Sequence, residues 1–421
     1  MTQQPAAGIF PEIRVPALLT FAGLVLGFLI AIALKDTATL ASLLAIAAPM
    51  GSLWLRALQL TILPLVIGLV VTGISQTLAA AGGGHLARRA VGLFVAVLIA
   101  SGVLAAVLVP GLLALFPIPQ QAVAALSGGA ADPGKVPGVA DILDAMMPEN
   151  IFAAAAGGAM LPVVIFAALF ALALTRVGAA QRQSVMTFFE GLAGAMMVIV
   201  GWVLMLAPLG VFGLAMSLGA RTGADAIGAL AHYIVVVSAA GLVVVLSGYV
   251  LAATIGRRGL GDFIRAMVPV NAVAISTQSS LASLPAMLAA TRKLGVREAT
   301  ADFVLPMAVA IFRATSPAMN VGVAIYAAHL TGTPLSAAAL AAGVFVAFLV
   351  SLSSVSLPGT ISFVISVGPI ANAMGVPIAP LALLVAVEML PDIMRTLGNV
   401  TMDVAVTAAV DRGRADPPEG A

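Results

Sequence analysis

"VEMLPDIMRTLGNVTMD", residues 387–403, sets Glu388, Asp392, Arg395, Asn399 and Asp403 at intervals of four, three, four and four residues. On an α-helix, at about 100° per residue, these side chains fall in one stripe about 80° wide, with Thr396 at its edge and Met, Leu and Val opposite. The segments before it are among the most apolar of the chain. A lone charge at the centre of a bilayer costs at least about 3 kcal/mol, so such a stripe has to face protein or a water-filled cavity. Asp392 and Arg395, three residues apart, can pair with each other, as in a structural ladder of ion pairs. Three acids against one base leave two acids over, and that excess favours a ligand or cation site.

The rest of the chain supplies the bilayer. Of 421 residues, 62% are hydrophobic and 9% are charged, against roughly 25% charged in a soluble domain. So much apolar surface exceeds what one core can bury, which makes the chain an all-α polytopic membrane protein. The absence of Cys excludes disulfides and thiolate metal sites. The opening "MTQQPAAGIFPEIR" lacks the basic region and cleavage site of a secretory signal. Apolar stretches long enough to span run near 15–34, 41–78, 89–116, 151–175, 185–218 and 227–255. Counting spans from a cytoplasmic N-terminus puts Arg14, Arg88, Arg89, Arg176, Arg182, Arg257, Arg258, Arg412 and Arg414 inside, and Lys35, Lys135 and Arg221 outside. This bias predicts cytoplasmic N- and C-termini. The turn-rich stretch 117–137 reads as a long external loop.

After Arg257 the apolar segments, near 266–291, 299–330, 335–374 and 376–410, are interrupted. "AISTQSSLASLPAM" (274–287) and "SLSSVSLPGTISF" (351–363) are both Ser clusters followed by Leu-Pro within apolar sequence. Each fits a helix, an exposed turn and a returning helix. Irregular backbone at membrane depth is tolerated only inside protein or along a cavity, and paired interruptions point to a transporter's binding site. Ser and Gly serving close helix packing is the plainer reading of either stretch alone.

Together these stretches resemble the dicarboxylate/amino acid:cation symporter family, the relatives of glutamate transporters. The resemblance covers nearly the whole chain. It includes "PLVIGLVVTGIS" in the second span, "MMPENIFAAAAGGAMLPVVIFAALFALAL" (146–174), "APLGVFGL" (207–214), both Ser-rich stretches and "DIMRTLGNVTMD". It implies eight transmembrane helices plus two re-entrant helical hairpins, an elevator mechanism, a homotrimer, and a bacterial or archaeal cytoplasmic membrane. Residues 1–255 would hold helices 1–6, with 1, 2, 4 and 5 as the trimerisation scaffold and 3 and 6 in the transport domain. Residues 256–411 would hold the two hairpins and helices 7 and 8, and 412–421 a cytoplasmic tail. Asp392 would bind a substrate amino group and Arg395 a side-chain carboxylate, to which its planar fork is suited. Thr396 and Asn399 would add hydrogen bonds. Ser279 and Ser280 would meet the α-carboxylate, while Leu357, Pro358 and Gly359 would form the gating tip of the second hairpin. Asp403, with Asn399, would form part of a sodium site. Asp392 and Arg395 together imply an acidic amino acid, aspartate or glutamate. The alternatives are a C4-dicarboxylate, which lacks the amino group, or an anion-conducting channel, for which the polar residues cluster too narrowly in depth.

The sequence departs from the family where cations bind. Against the family's Asn-Met-Asp-Gly-Thr stretch it has Phe312, Arg313, Ala314, Thr315 and Ser316. Only Ser316 keeps the hydroxyl expected to reach the substrate. In "FVAVLIASGV" (94–103), Val97 and Ala100 stand where the family has hydroxyls for another sodium, and only Ser101 remains. The family pattern implies four acids against one Arg. Here Glu388, Asp392 and Asp403 stand against Arg313 and Arg395, a net of −1. Arg313 is therefore expected to act as a built-in cation, with few sodium ions or none needed, and a proton on Glu388 or plain exchange as the remaining coupling. Arg313 snorkelling to headgroups is the competing expectation.

No cofactor is expected beyond Na+ or H+ as a coupling ion, and no nucleic acid partner. His85, His232 and His329 share no metal-ligand spacing, although His329 could shuttle protons. No motif of catalysis appears. Arg56 and the run 257–265 are expected at helix ends, and Trp54 and Trp202 as packing or interfacial anchors.

Overall fold

The computed structural model describes residues 17–35, 37–82, 84–119, 147–157, 159–222, 225–353 and 359–411. Among these the chain is helical throughout, without a strand. The first helices are α1 (Ala17–Ala33), α2 (Ala38–Ala81) and α3 (His85–Leu115). Thr37 caps α2, its hydroxyl accepting from the Leu40 amide at 3.3 Å. At 44 residues, α2 is about 66 Å long, more than the thickness of a bilayer. Arg56 lies exposed in the interior of α2, so the expectation that it marks a helix end is corrected. Its neighbours Leu53, Leu55, Ala57 and Leu58 keep the helix apolar on both sides of it, and one charged residue does not end a helix. Then come α4 (Ile151–Ala156), α5 (Met160–Leu174), α6 (Ala179–Met205), α7 (Ala207–Thr222) and α8 (Asp225–Thr254). Helix α7 packs on α1 and on α2, and α2 packs on α6. Gly23, Gly27 and Gly213 let their backbones approach so closely that a Cβ would strike a neighbouring carbonyl oxygen. Trp54, buried here, donates its indole N–H to the Val203 carbonyl at 2.9 Å, whereas Trp202 is exposed.

The remaining helices build a second group. Helices α9 (Leu260–Thr277) and α10 (Ser280–Lys293) fold back on each other through Gln278 and Ser279. Gln278 takes the left-handed conformation at φ 50°, and the Ser279 hydroxyl caps α10 by accepting from the Ala282 amide. Next are α11 (Glu298–Ile311), α12 (Ser316–Thr331), α13 (Ala337–Ser353) and α14 (Gly359–Ala373). A short helix α15 (Leu381–Leu384) and a 3₁₀ turn (Val385–Val387) lead into α16 (Met389–Asp411). Leu357 and Pro358 lie outside the described residues; Gly359 opens α14.

Helices α12 and α16 form the centre of this group. Helix α12 packs on α3, α8, α13 and α14, and α16 on α8, α9, α10 and α11. Nearly every residue of both is buried. Helices α11 and α12 together are apolar enough to cross a membrane, yet are broken at 312–315, where Phe312 turns extended and stacks on Phe94 at 4.4 Å. Pro317 in the first turn lets α12 start afresh, since it lacks the N–H that a continuing helix needs. Among the described residues, five helical stretches have the length and composition to cross a membrane, and four shorter apolar helices accompany them.

Candidate substrate and ion site

The polar stripe is buried, and the charges of its upper half are paired with one another, although Arg395 Nε has no hydrogen-bond partner. Glu388 stands one residue before α16, at the end of the 3₁₀ turn, rather than on the regular helix that the spacing implies. Pro391 lies in the first turn of α16, where the missing N–H of a proline costs least, and so suits a helix that starts just after Glu388. The Glu388 carbonyl still accepts from the Asp392 amide at 2.9 Å, which keeps its side chain above Arg395. Arg395 then joins two acids. Its Nη2 lies 2.5 Å from Glu388 Oε1 and its Nη1 donates to Asp392 Oδ1 at 3.2 Å. The other Glu388 oxygen accepts from the Tyr233 hydroxyl of α8 at 2.8 Å, and Asn320 Oδ1 of α12 lies 3.5 Å from Arg395 Nη2. Glu388 has no exposed surface and Arg395 is 4% exposed. A buried arginine between two acids, with every second partner on a different helix, is a rigid arrangement.

The lower half differs. Asp403 is fully buried and neither of its carboxylate oxygens has a hydrogen-bond partner. Arg313, in the break between α11 and α12, is 7% exposed, and its Nε and Nη2 have none either. The charges that act on Arg313 most are Asp403 and then Asp392, yet no ion pair within 4 Å joins it to either among the described residues. Its burial rules out snorkelling to headgroups.

Around the break, oxygens that could face a cation already accept hydrogen bonds from the chain. Ser101 of α3 donates to the Ala314 carbonyl at 2.6 Å, and the Thr315 amide donates to Asn399 Oδ1 at 3.0 Å. Gly398 on α16 is required here, since a Cβ would run into the Thr315 side chain. Ser316 and Thr396 are buried nearby, and the buried Thr315 hydroxyl has no hydrogen-bond partner among the described residues. No group of three or more His, Cys, Asp or Glu capable of holding a metal occurs among the described residues.

Ser279 and Ser280 sit at the turn between α9 and α10, a hairpin packed against α16; Ser280 is buried and Ser279 partly exposed. Tyr233 and Asn320 went unread in the sequence, although a tyrosine and an asparagine deep in apolar spans were the available signal. Among the described residues, His329 bonds the Ile325 carbonyl of its own helix, at 2.9 Å, and no hydrogen bond joins it to the stripe.

The sequence that builds this arrangement has counterparts in known proteins. The sequence model of the Sodium:dicarboxylate symporter family matches residues 17–413. The chain belongs to this family. It is a family of transporters, and the resemblance read over nearly the whole chain is borne out. The chain is 26% identical over 390 residues to the Proton/sodium-glutamate symport protein of Bacillus caldotenax, covering 90% of each. It is 27% identical over 404 residues to C4-dicarboxylate transport protein 1 of Pseudomonas paraeruginosa (strain DSM 24068 / PA7), covering 94% of this chain and 88% of that protein. It is also 27% identical over 360 residues to the Proton/glutamate-aspartate symporter of Escherichia coli (strain K12), covering 84% and 82%. The chain is a multi-pass membrane protein of this transporter family.

Proposed function

We propose that this protein is a secondary transporter of acidic amino acids, aspartate or glutamate, whose transport needs little or no sodium. Asp392 takes the substrate's amino group, Arg395 its side-chain carboxylate and the Ser279–Ser280 turn its α-carboxylate, with Ser316, Thr396 and Asn399 adding hydrogen bonds. Residues 357–359 close over the site. The chain works as an elevator in a homotrimer in the cytoplasmic membrane of a bacterium or archaeon, with both termini in the cytoplasm. Helices α1, α2 and α4–α7 serve as its scaffold and α3, α8 and the helices after residue 260 as the moving part. The hairpins α9–α10 and α13–α14 are re-entrant in this reading.

The observation that carries the sodium claim is the buried Arg313 guanidinium, on which Asp403 is the acid that acts most. A fixed positive charge supplies what a bound sodium would, and a second cation brought next to it meets like-charge repulsion. The hydrogen bonds on the Ala314 carbonyl and on Asn399 Oδ1 support the same reading. With sodium absent, Glu388 as a proton carrier, or exchange of one substrate for another, couples the cycle.

One observation favours a C4-dicarboxylate instead. Asp392 already lies 3.2 Å from Arg395, so it can serve as an internal partner with no amino group to receive. Uptake of labelled aspartate into proteoliposomes, in competition with glutamate and with succinate, separates the two. Inhibition by glutamate alone supports the amino acid reading. Equal inhibition by succinate, unchanged in Asp392→Asn, contradicts it. Accumulation of aspartate above its external concentration sets a transporter apart from an anion channel.

A further inference from the structure

Asp411, the last residue of α16, is 7% exposed and holds two arginines. Its Oδ1 accepts from Arg297 Nε at 2.9 Å, and its Oδ2 from Arg258 Nη2 at 3.3 Å. Arg297 Nη2 also donates to the Asp411 carbonyl at 3.1 Å, and Arg89 of α3 to the Ala409 carbonyl at 3.1 Å. The arginines thus satisfy carbonyls that a helix end leaves without intrahelical partners, and their charge suits the negative end of the helix dipole. The two arginines gripped by Asp411 are also the two feet of the α9–α10 hairpin. Arg258 comes two residues before α9 begins at Leu260, and Arg297 four after α10 ends at Lys293. The chain makes a left-handed step at Arg257, φ 51°, which turns Arg258 back toward the bundle. A further pair across the feet, Arg292 with Glu298 at 3.2 Å, is well exposed and holds little.

We propose that Asp411 is a positioning residue that clasps both feet of the α9–α10 hairpin to the end of the charged helix and so fixes the Ser279–Ser280 turn against α16. Without its charge two arginines face each other across the hairpin base, and their repulsion pries apart the pair of strands of chain that the carboxylate joins. The consequence for substrate rests on the reading of Ser279 and Ser280 given under Proposed function. The clasp itself does not.

The chain has no Cys, so single cysteines report directly. Ser283 on α10 is fully buried against the bundle one turn beyond the Ser279 cap, and Ala193 on α6 is equally buried far from the hairpin. Ser283→Cys and Ala193→Cys are labelled with a thiol reagent in substrate-free proteoliposomes, with and without Asp411→Asn. The expected result is a rise of about fivefold in the Ser283→Cys rate, the size of two lost, partly exposed ion pairs, with Ala193→Cys unchanged and Asp411→Glu near the parent. Arg258→Gln and Arg297→Gln each give part of the rise, and they serve as the readout if Asp411→Asn does not reconstitute. No change at Ser283→Cys in any of these variants overturns the clasp, as does an equal rise at Ala193→Cys, which reports general loosening. Aspartate is then added to the parent. If it fails to slow Ser283→Cys labelling while the charge variants still raise it, the clasp is supported and the substrate role of the serine turn fails.

Discussion

Two buried charge groups share α16 and are built in opposite ways. Around Arg395 every charge touches its partner, with Glu388 at 2.5 Å, Asp392 at 3.2 Å and Tyr233 holding the far side of Glu388. Two turns along, Asp403 and Arg313 balance each other across a gap that no hydrogen bond spans. The first group is held by geometry and resists change in any member. The second has no such contacts, and in the proposed reading what it requires is a positive charge near Asp403, whatever carries it. In the function proposed above, the first group recognises the shape of a substrate and the second sets the need for an ion.

Removing Arg395 breaks the first group most severely. Arg395→Ala leaves Glu388 and Asp392 buried without a counter-charge, a loss of about 3–5 kcal/mol; it is expected to abolish uptake and to lower the thermal midpoint sharply in detergent. Arg395→Lys recovers part of the stability and little of the uptake, since an ammonium cannot bridge two carboxylates as the planar fork does. A comparable effect on the second group has a different signature. Arg313→Ala costs about 3 kcal/mol by leaving Asp403 unbalanced, and sodium, but not choline, is expected to restore the thermal midpoint. A midpoint equally low in both salts would mean that Arg313 does not stand in for a cation.

The smaller effects sharpen the comparison. Tyr233→Phe takes one hydrogen bond from a buried carboxylate and is expected to cost about 1–3 kcal/mol, read as a shift of the unfolding midpoint. Gly398→Ala presses a methyl group into Thr315 and is expected to cost about 1–3 kcal/mol through overpacking. Thr315→Ala, which removes the hydroxyl that the added methyl group would strike, recovers part of that loss when the two are combined.

The stripe of α16 was legible because its period is that of a helix, and an ionisable side chain in apolar sequence is costly enough to mark a site. The break at Phe312–Thr315 was legible only through departure from a family pattern, since "IFRATSP" has neither the glycine nor the acid that would announce it. What the sequence hid are partners distant along the chain. Tyr233 meets Glu388 across 155 positions, and Asp411 meets Arg258 and Arg297 across 153 and 114. Nothing in local periodicity reports which arginine turns inward. Glu388 shows the limit of periodicity itself: its spacing fits the stripe, yet Pro391 starts the helix just after it, and the 3₁₀ turn carries it to the same face.

The most direct test of the account is binding of aspartate to the purified protein by calorimetry, in sodium and in choline at equal ionic strength. A built-in cation at Arg313 predicts the same affinity in both salts, within about twofold. An affinity that climbs steeply with sodium and vanishes in choline would contradict it.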